Sequence, residues 1–352
     1  MTIAVAVLGA SGYGGAGLIE RLRAHPHARV RAVASRQFLG RPVDDAWPHL
    51  AGLVPLRFVD TDDAIAGADV VMCATPHGAT APLVRAARDA GARVVDLSAD
   101  FRLDADTYAA WYGPHPHPEL LPEAVYGLPE LHRSELPGAA IVASPGCNAT
   151  AAILALAPLA ADGLLGGVAN VTIVTGASGA GRGLDLGLHH PELNENARAY
   201  KVAGTHRHTG EIELILGRVA AQGKDARGSG PRTPVRIAFN PVLVPMNRGI
   251  LAVAVVRPSG TVDTAGLLAR YRDFYAGDAL VHVQEALPQT KAVAGSDRAV
   301  LSVRWDERTG SAVALCAIDN LGKGAAGQAV QGMNVALGFP ETAGLRFEGV
   351  WP

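Results

Sequence analysis

The residue best placed to do chemistry is Cys147, in a Pro-Gly turn directly before an apolar run at 151–157 that predicts a buried helix. A sulfur at or next to a helix N-terminus is close to unpaired backbone N–H groups and to the positive end of the helix dipole, which stabilise a thiolate. Because the thiolate is the nucleophile, this position suits covalent catalysis. The alternative is a small core residue, since free cysteine is among the most buried residue types.

A nucleophilic cysteine needs a group that can move a proton, and histidine is the usual one near neutral pH. His206 and His208 precede a predicted helix that begins near Thr209, and we expect the Thr209 hydroxyl to cap it. Side chains just before a helix can point into a cleft. Taken alone, such a His-x-His pair is more often a surface feature, so its meaning depends on the elements around it.

The elements that must position these residues begin at the N-terminus. An apolar strand at 3–8 runs into the glycine-rich turn Gly9–Gly15, and a helical pattern follows at 16–24. Strand, glycine-rich turn and helix form the context of a dinucleotide-binding site, in which glycines let the backbone approach a pyrophosphate. The spacing is G-x-x-G-x-x-G, so the context carries more weight than the motif. A plain βα turn without a ligand is the alternative.

The next strand ends at Ser35 and Arg36, where an NAD enzyme usually carries an acidic residue for the ribose 2′-hydroxyl. A hydroxyl followed by a guanidinium suits a 2′-phosphate and so favours NADP, although Arg36 could also be a solvated surface residue. A further buried strand at 70–74 stops before Pro76 and Gly78, at the strand end where open α/β sheets bind ligands. The β-α alternation from 3 to 98 predicts a doubly wound sheet.

The second half is rich in strands and predicts an α+β domain made largely of one sheet. A strand at 168–174 enters a loop of small residues, 176–182, which either binds an anion or serves as a flexible linker. Residues 221–233 predict a polar, glycine-rich loop. Cys73 and Cys316 lie inside apolar strands and are expected in the core.

Composition limits the class of protein. A chain of 352 residues predicts about two domains. Its net charge of −2 argues against a nucleic-acid partner, and no continuous run of apolar residues reaches the ~18 that span a bilayer. Three cysteines without paired spacing predict neither a disulfide framework nor a metal cluster. His115 and His117 read as part of a rigid surface loop. With no leader pattern, we expect a cytoplasmic protein.

Several motifs together resemble the N-acetyl-γ-glutamyl-phosphate reductase family, within the aspartate-semialdehyde dehydrogenase-like group. They lie at 9–15, 97–102, 145–147, 178–181, 194–196, 206–209 and 319–324. The resemblance implies an NADP-binding Rossmann domain of residues 1–147 and 319–352. It also implies an inserted α+β catalytic and oligomerisation domain, 148–318, with a large, mostly antiparallel sheet. A homo-oligomer, dimer or tetramer, is implied as well.

The implied enzyme is an NADP-dependent phosphorylating semialdehyde dehydrogenase acting on a small acyl phosphate. Cys147 attacks the acyl phosphate, and NADPH then reduces the resulting thioester. By resemblance, His206 is the acid/base with His208 and Tyr200 in support, although either histidine could move the proton. The resemblance implies substrate contacts from Ser178, Gly179, Arg182, Asn148 and Glu195. It implies cofactor contacts from Gly9, Ser11, Gly12, Tyr13, Gly15, Ser35, Arg36, Pro76, Gly78, Asn320 and Gly322.

One departure bears on the substrate. The arginine-pathway enzymes mostly carry Gly-Cys-Tyr-Pro-Thr, whereas this chain has Asn148 and Ala149 after the cysteine. That version, and the segment 189–192, resemble a sister branch that reduces aminoadipyl phosphate held on an acidic amino-group carrier protein in lysine synthesis. The segment 193–200 and the 178–182 loop resemble the arginine enzyme, which we favour. A non-catalytic NADP-binding sensor is a third hypothesis.

Overall fold

The computed structural model describes residues 2–165, 167–223, 234–258 and 262–351. The strands are β1 Ile3–Leu8, β2 Ala28–Ala34, β3 Phe58–Val59, β4 Val70–Cys73, β5 Arg93–Asp96, β6 Ala124–Tyr126, β7 Ile141–Ala143, β8 Val168–Thr175, β9 Arg198–Ala199, β10 Arg236–Leu243, β11 Ile250–Val256, β12 Val281–Val283, β13 Ala299–Asp306 and β14 Ser311–Ile318. The α-helices are α1 Tyr13–Arg23, α2 Val43–Ala46, α3 Thr61–Ile65, α4 Ala81–Asp89, α5 Ala105–Tyr112, α6 Pro129–His132, α7 Cys147–Ala161, α8 His190–Leu193, α9 His208–Gln222, α10 Thr264–Phe274, α11 Thr290–Val293 and α12 Gly327–Leu337.

The chain forms two compact units, one of Met1–Gly146 with Ala325–Arg346 and the other of Cys147–Gly324 with Phe347–Pro352. The predicted division differs, because it assigned Cys147 and all of 319–352 to the first unit. Hydrogen bonds explain the difference: Asp319 pairs with Arg248, and the backbone N–H of Val350 donates to Ala294 O at 2.7 Å. The first contact holds the segment at 319–324 on the second unit, and the second contact holds the end of the chain there.

The first unit is a parallel sheet of seven strands in the order β3-β2-β1-β4-β5-β7-β6. Alternate residues of β1 enter different cores: Val5 and Val7 pack with helices α1 and α12, and Ala6 and Leu8 pack with α4. Burial on both faces explains why β1 is continuously apolar. The strand order reverses direction at β1, and the crevice beside β1 and β4 is where such sheets bind ligands. The doubly wound prediction is confirmed.

The second unit has one seven-stranded sheet in the order β12-β13-β14-β11-β8-β10-β9. The β8–β10 and β12–β13 pairs are parallel, and the other pairs are antiparallel. Strands β10 and β11 alternate between buried and half-buried residues. One face of the sheet is therefore covered by helices of this unit, which matches the predicted α+β architecture with a mostly antiparallel sheet.

Helix α7 carries Cys147 at its first position and is almost completely buried along its length. Pro158 lies inside the helix and lacks the N–H that would bond to Leu154 O, which leaves that carbonyl without its helical donor. The Tyr275 hydroxyl donates to Leu154 O at 2.6 Å, and the Tyr271 hydroxyl donates to Ala155 O at 2.5 Å. Tyr271 in α10 and Tyr275 directly after it therefore donate hydrogen bonds to backbone carbonyls of α7.

Some local predictions need correction. Helix α1 begins at Tyr13 rather than at residue 16, because the glycine turn itself enters the helix. The predicted cap at Thr209 is wrong: α9 begins at His208, and among the described residues the buried Thr209 hydroxyl oxygen has no hydrogen-bond partner. Of the predicted loop at 221–233, the first two residues belong to α9, and 224–233 lie outside the described residues. Within the described ranges, no helix combines the length and apolar character needed to cross a membrane.

Candidate active site

The glycine-rich turn after β1 is shaped by close backbone contacts. Gly9 has φ +72°, and a Cβ on it would lie 2.4 Å from Ala74 O. A Cβ on Gly15 would lie 2.5 Å from the Ala10 Cα, whereas one on Gly12 would come no closer than 3.4 Å to Gly9 O. Glycine is therefore required at positions 9 and 15, where any side chain would displace the turn.

This turn fits a nucleotide pyrophosphate. Gly12 is the N-cap of α1 and has no side chain to occupy the helix N-terminus, so the first N–H groups of the helix face outward. Those groups, together with the helix dipole, attract a negatively charged group. The indole N–H of Trp47 donates to Ala10 O at 2.9 Å and holds the turn in place. Trp47 was not predicted from the sequence, since nothing local links it to a turn 37 residues earlier.

Ser35 and Arg36 follow β2 in this unit. The hydroxyl oxygens of Ser11 and Ser35 are 2.7 Å apart, so the glycine turn and the end of β2 are directly bonded. Ser35 is buried and Arg36 is exposed. The predicted 2′-phosphate contacts therefore lie next to the predicted pyrophosphate contacts, as a single nucleotide requires.

The loop after β4, which includes Pro76 and Gly78, is held by a carboxylate that was not predicted from the sequence. Asp100, fully buried, accepts hydrogen bonds from the backbone N–H groups of Gly78, Thr80 and Ala81 at 2.8, 3.2 and 3.0 Å. The Tyr108 hydroxyl adds a fourth donor at 3.1 Å, and its pKa is raised by burial and by this carboxylate. The motif at 97–102 was the available signal, because a carboxylate soon after a strand can cap a neighbouring helix.

In the second unit, Cys147 lies at the start of α7, as predicted, and it is half-buried. A Cβ on Gly324 would lie 2.9 Å from Cys147 Cβ, so the chain at Gly324 packs tightly against the cysteine. Cys73 and Cys316, by contrast, are buried, and burial raises the pKa of each thiol. None of these three cysteines forms a disulfide. The position of Cys147 therefore separates it from the two core cysteines.

Asn148 joins Cys147 to Tyr200. The Cys147 thiol donates to Asn148 Oδ1 at 3.9 Å, and Asn148 Nδ2 donates to the Tyr200 hydroxyl at 3.4 Å. Burial raises the pKa of Tyr200, the bond from Asn148 opposes that rise, and Cys147 adds to it. Asn148 was predicted to bind substrate, and that role stays a prediction. The contacts show it positioning the cysteine and the tyrosine.

His206 belongs to the same cluster. Its ring centroid lies 5.7 Å from that of Tyr200, 4.7 Å from His208 and 5.1 Å from Phe239. Burial, then the nearby His208 and Lys201, lower the pKa of His206 to about 3. The structure thus brings three of the four predicted catalytic residues, Tyr200, His206 and His208, into ring contact, and links Tyr200 to Cys147 through Asn148.

Asn320 lies with Ser178 rather than alone. Asn320 Nδ2 donates to the Ser178 hydroxyl at 2.9 Å, and Asn320 Oδ1 accepts from the Gly249 N–H at 2.7 Å. Next to it, buried Asp319 pairs with Arg248 at 2.9 Å and accepts from the backbone of Gly322. The bond from Asn320 orients the Ser178 hydroxyl. Arg248 and Asp319 were not predicted as site residues, because they become neighbours only in the folded sheet. Cofactor contacts of Asn320 and Gly322 stay predictions.

The remaining predicted substrate residues lie on more open chain. Gly179 and Arg182 are exposed in and after the short 3-10 turn Ala177–Ala180. Glu195 is exposed with φ 58°, and Lys201 and Ala203 also have positive φ, at 44° and 55°. Three non-glycine residues in this costly backbone region mark 195–203 as a strained segment, a feature that clusters at functional sites.

The two units match the semialdehyde dehydrogenase family. The family model described as semialdehyde dehydrogenase, NAD binding domain, matches residues 4–139, and the one described as semialdehyde dehydrogenase, dimerisation domain, matches residues 147–320. The fold is also similar to aspartate semialdehyde dehydrogenase II from Vibrio cholerae, with a TM-score of 0.70 at 18% identity, covering 95% of this chain and 98% of that one.

Sequence relatives are more specific. The N-acetyl-gamma-glutamyl-phosphate reductase of Thermus thermophilus is 50% identical over 98% of this chain and 99% of its own length. That of Citrifermentans bemidjiense is 45% identical over 99% of this chain and 100% of its own. The chain therefore belongs to the N-acetyl-gamma-glutamyl-phosphate reductase family of oxidoreductases.

Proposed function

We propose that this protein catalyses the NADPH-dependent reduction of N-acetyl-γ-glutamyl phosphate to N-acetylglutamate semialdehyde, with release of phosphate, in arginine biosynthesis. The observation that carries the proposal is Cys147, half-buried at the first position of α7 and linked through Asn148 to Tyr200. The named relatives at 45 and 50% identity supply the substrate. The hypothesis of a carrier-linked aminoadipyl phosphate has no relative among them to support it.

The first unit supplies the residues that would hold NADP(H). The N-terminus of α1, at Gly12 and Tyr13, suits the pyrophosphate. Ser35 and exposed Arg36 suit a 2′-phosphate, because a guanidinium makes strong charge-assisted bonds to phosphate oxygens. When bound, the cofactor supplies a hydride to the thioester.

Cys147 carries the covalent steps. Its sulfur forms a bond to the acyl carbon, the carbon–oxygen bond to phosphate breaks, and the thiol proton leaves with phosphate. Hydride addition to the thioester carbon would give a tetrahedral thiohemiacetal anion. Its carbon–sulfur bond then breaks, which releases the aldehyde and the Cys147 thiolate, and one proton taken up from solvent restores the thiol. Dividing one difficult displacement into two steps is the advantage of a nucleophilic side chain.

The substrate carries a carboxylate as well as the phosphate. The Ser178 hydroxyl, oriented by Asn320 at 2.9 Å, can donate to an anionic oxygen. Exposed Arg182 follows on the same loop and can pair with a carboxylate or phosphate. These assignments rest on residue chemistry and on the bond to Asn320.

We also infer that the protein assembles as a homo-oligomer through the second unit. The matching family model is described as a dimerisation domain. Half-buried apolar side chains of β11 and β14, including Leu251, Val253 and Leu315, repeat on the side of the strands opposite to their fully buried residues. Such a row of apolar groups is suited to burial against a second copy.

The test is phosphate-dependent formation of NADPH from NADP and N-acetylglutamate semialdehyde. The wild-type protein should show it, Cys147→Ser should lose at least about 10³-fold in rate while still binding NADPH, and Cys316→Ala should keep activity. Full turnover by Cys147→Ser would contradict the covalent step. Faster turnover of aminoadipate semialdehyde on a carrier protein would move the substrate to the lysine branch. NADPH binding without turnover on either substrate would support a sensor.

A further inference from the structure

Residues 347–351, the C-terminal tail, lie on another part of the second unit, the 290–296 segment. The Val350 N–H donates to Ala294 O at 2.7 Å. A Cβ on Gly349 would lie 2.4 Å from a carbonyl oxygen of the 290–296 segment, so the two backbones are in close contact. Although Val350 is 72% exposed, its backbone N–H attaches the C-terminal tail to this segment.

The 290–296 segment also packs closely against two glycine turns of the second unit. A Cβ on Gly249, which has φ +120°, would lie 2.8 Å from Thr290 Cβ, and a Cβ on Gly322 would lie 2.0 Å from Ser296 O. Such approaches are open only to glycine. Because closely packed parts of a protein shift together, a displacement of the 290–296 segment also displaces both turns.

A buried carboxylate connects the 290–296 segment to the loop before β11. Asp319 accepts a hydrogen bond from the Gly295 N–H and pairs with Arg248 at 2.9 Å. It also accepts from the Gly322 N–H at 3.1 Å. Asp319 is fully buried, so the loss of any of these donors leaves a charged oxygen without compensation. The place of Gly295 therefore affects how Asp319 and the next residue, Asn320, are held.

Asn320 contacts the loop that is predicted to bind substrate. Its Oδ1 accepts from the Gly249 N–H at 2.7 Å, and its Nδ2 donates to the Ser178 hydroxyl oxygen at 2.9 Å. Because the Ser178 oxygen accepts this bond, its own proton can be donated to an oxygen of the substrate. Asn320 is 1% exposed, so its orientation is set by these protein neighbours and not by solvent.

We propose that the C-terminal tail is a positioning element for substrate binding. It holds the 290–296 segment against Asp319, and so fixes Asn320 and the direction of the Ser178 hydroxyl. This inference rests on the proposed function and deepens it, because it gives residues outside the predicted site a role in substrate recognition. We therefore expect a disturbed tail to raise KM for the acyl substrate through Ser178.

The first test is a double-mutant cycle on turnover of N-acetylglutamate semialdehyde at saturating NADP and phosphate. Gly349→Ala, whose Cβ would lie 2.4 Å from Ala292 O, should displace the C-terminal tail. KM for the semialdehyde should rise about tenfold, with kcat within about threefold of wild type. In a Ser178→Ala background the same change should raise KM less than about twofold, since the hydroxyl it orients is gone. Equal factors in the two backgrounds, or no rise in KM, would overturn the inference.

Neighbouring positions supply the controls. Glu348→Ala, next to Gly349 and exposed, should leave KM unchanged. A milder pair changes Val350: Val350→Pro removes the N–H that donates to Ala294 O, whereas Val350→Ala keeps it. KM should rise in the proline variant only, and an equal rise in the alanine variant would contradict attachment through this bond.

The second test is hydrogen–deuterium exchange, which needs no turnover. In Gly349→Ala, peptides that contain Gly295 and Gly249 should exchange faster than in wild type, because their N–H groups bond to Asp319 and Asn320. Peptides of β1 should be unchanged. Faster exchange confined to the C-terminal tail and α11 would overturn the inference. If wild type forms no NADPH but the Gly249 peptide responds, the proposed function fails and the coupling of the tail to Asn320 stands.

Discussion

The glycine-rich turn of the first unit and the cysteine cluster of the second are built from different groups. At Gly9–Gly15, shape comes from backbone atoms packed within 3 Å of where a Cβ would be, and binding capacity comes from main-chain N–H groups. Around Cys147, the polar groups are side chains: Asn148, Tyr200 and His206. One added methyl group should therefore be enough to disrupt nucleotide binding at the glycine-rich turn. At the cysteine cluster, each side-chain hydrogen bond that is removed should lower activity by a separate, smaller amount.

The largest expected effect follows from adding that methyl group. Gly15→Ala places a Cβ 2.5 Å from backbone, which overpacks the turn by about 3 kcal/mol and should weaken NADPH binding by about 10²-fold or more. Fluorescence titration with NADPH measures the loss. Gly12→Ala, with its nearest contact at 3.4 Å, is the matched control and should cost far less. Equal losses in the two variants would show that steric fit at Gly15 is not what shapes the turn.

Arg36 is a side chain that we expect to contribute to nucleotide binding. Changing it should alter the preference between NADP and NAD and leave the shape of the glycine-rich turn unchanged. Arg36→Asp removes a charge-assisted bond to a 2′-phosphate, worth about 1.5–3 kcal/mol, and should shift the NADP-to-NAD preference by about 10 to 100-fold. Steady-state kcat/KM with each cofactor gives the ratio. Arg29→Asp, on an exposed position of β2, is the control. An unchanged ratio would mean that Arg36 is only a solvated surface residue.

On the cysteine side, Tyr200→Phe removes one hydroxyl and leaves the ring against His206. The bond from Asn148, at 3.4 Å, contributes about 1 kcal/mol, so kcat should fall about fivefold. NADPH affinity should be unchanged, because the hydroxyl acts on the Cys147 side alone. A loss confined to NADPH affinity would break the proposed separation of the two sites.

The smallest effect concerns the helix that carries Cys147. Tyr275→Phe leaves Leu154 O without a donor and should lower the free energy of unfolding by about 1 kcal/mol. Pro158→Ala restores a helical N–H, so adding Tyr275→Phe to that variant should cost less. Urea unfolding of the four proteins gives the coupling. Additive losses would show that the tyrosine does not replace the donor that proline lacks.

Much of the fold could be predicted because local patterns report it. The strand at 3–8, the glycine turn and the helix after it appear in the expected order, and only the first helical residue differs. The boundary of the two units could not be read in the same way. It depends on the pair between Asp319 and Arg248, residues 71 apart whose approach requires a completed sheet.

The candidate site shows the same division. Cys147, Tyr200, His206 and His208 were all proposed from sequence, and the structure links them. Asp100 and Trp47 were not proposed, since each acts on a loop far from it along the chain. The expected cap at Thr209 failed because His208 instead starts the helix while its N–H bonds to His206.

The sequence alone determined residue types and local geometry: a cysteine at a helix start, glycines where backbones meet, and a hydroxyl and guanidinium after the second strand. Each of these features depends on only a few neighbouring residues, so it can be predicted from the sequence. Only the tertiary structure decided which groups are buried and what each polar atom faces. Asn148 became the link between Cys147 and Tyr200, and burial together with the nearby His208 lowers the pKa of His206. Protonation and hydrogen bonding depend on neighbours across space, which no spacing along the chain can supply.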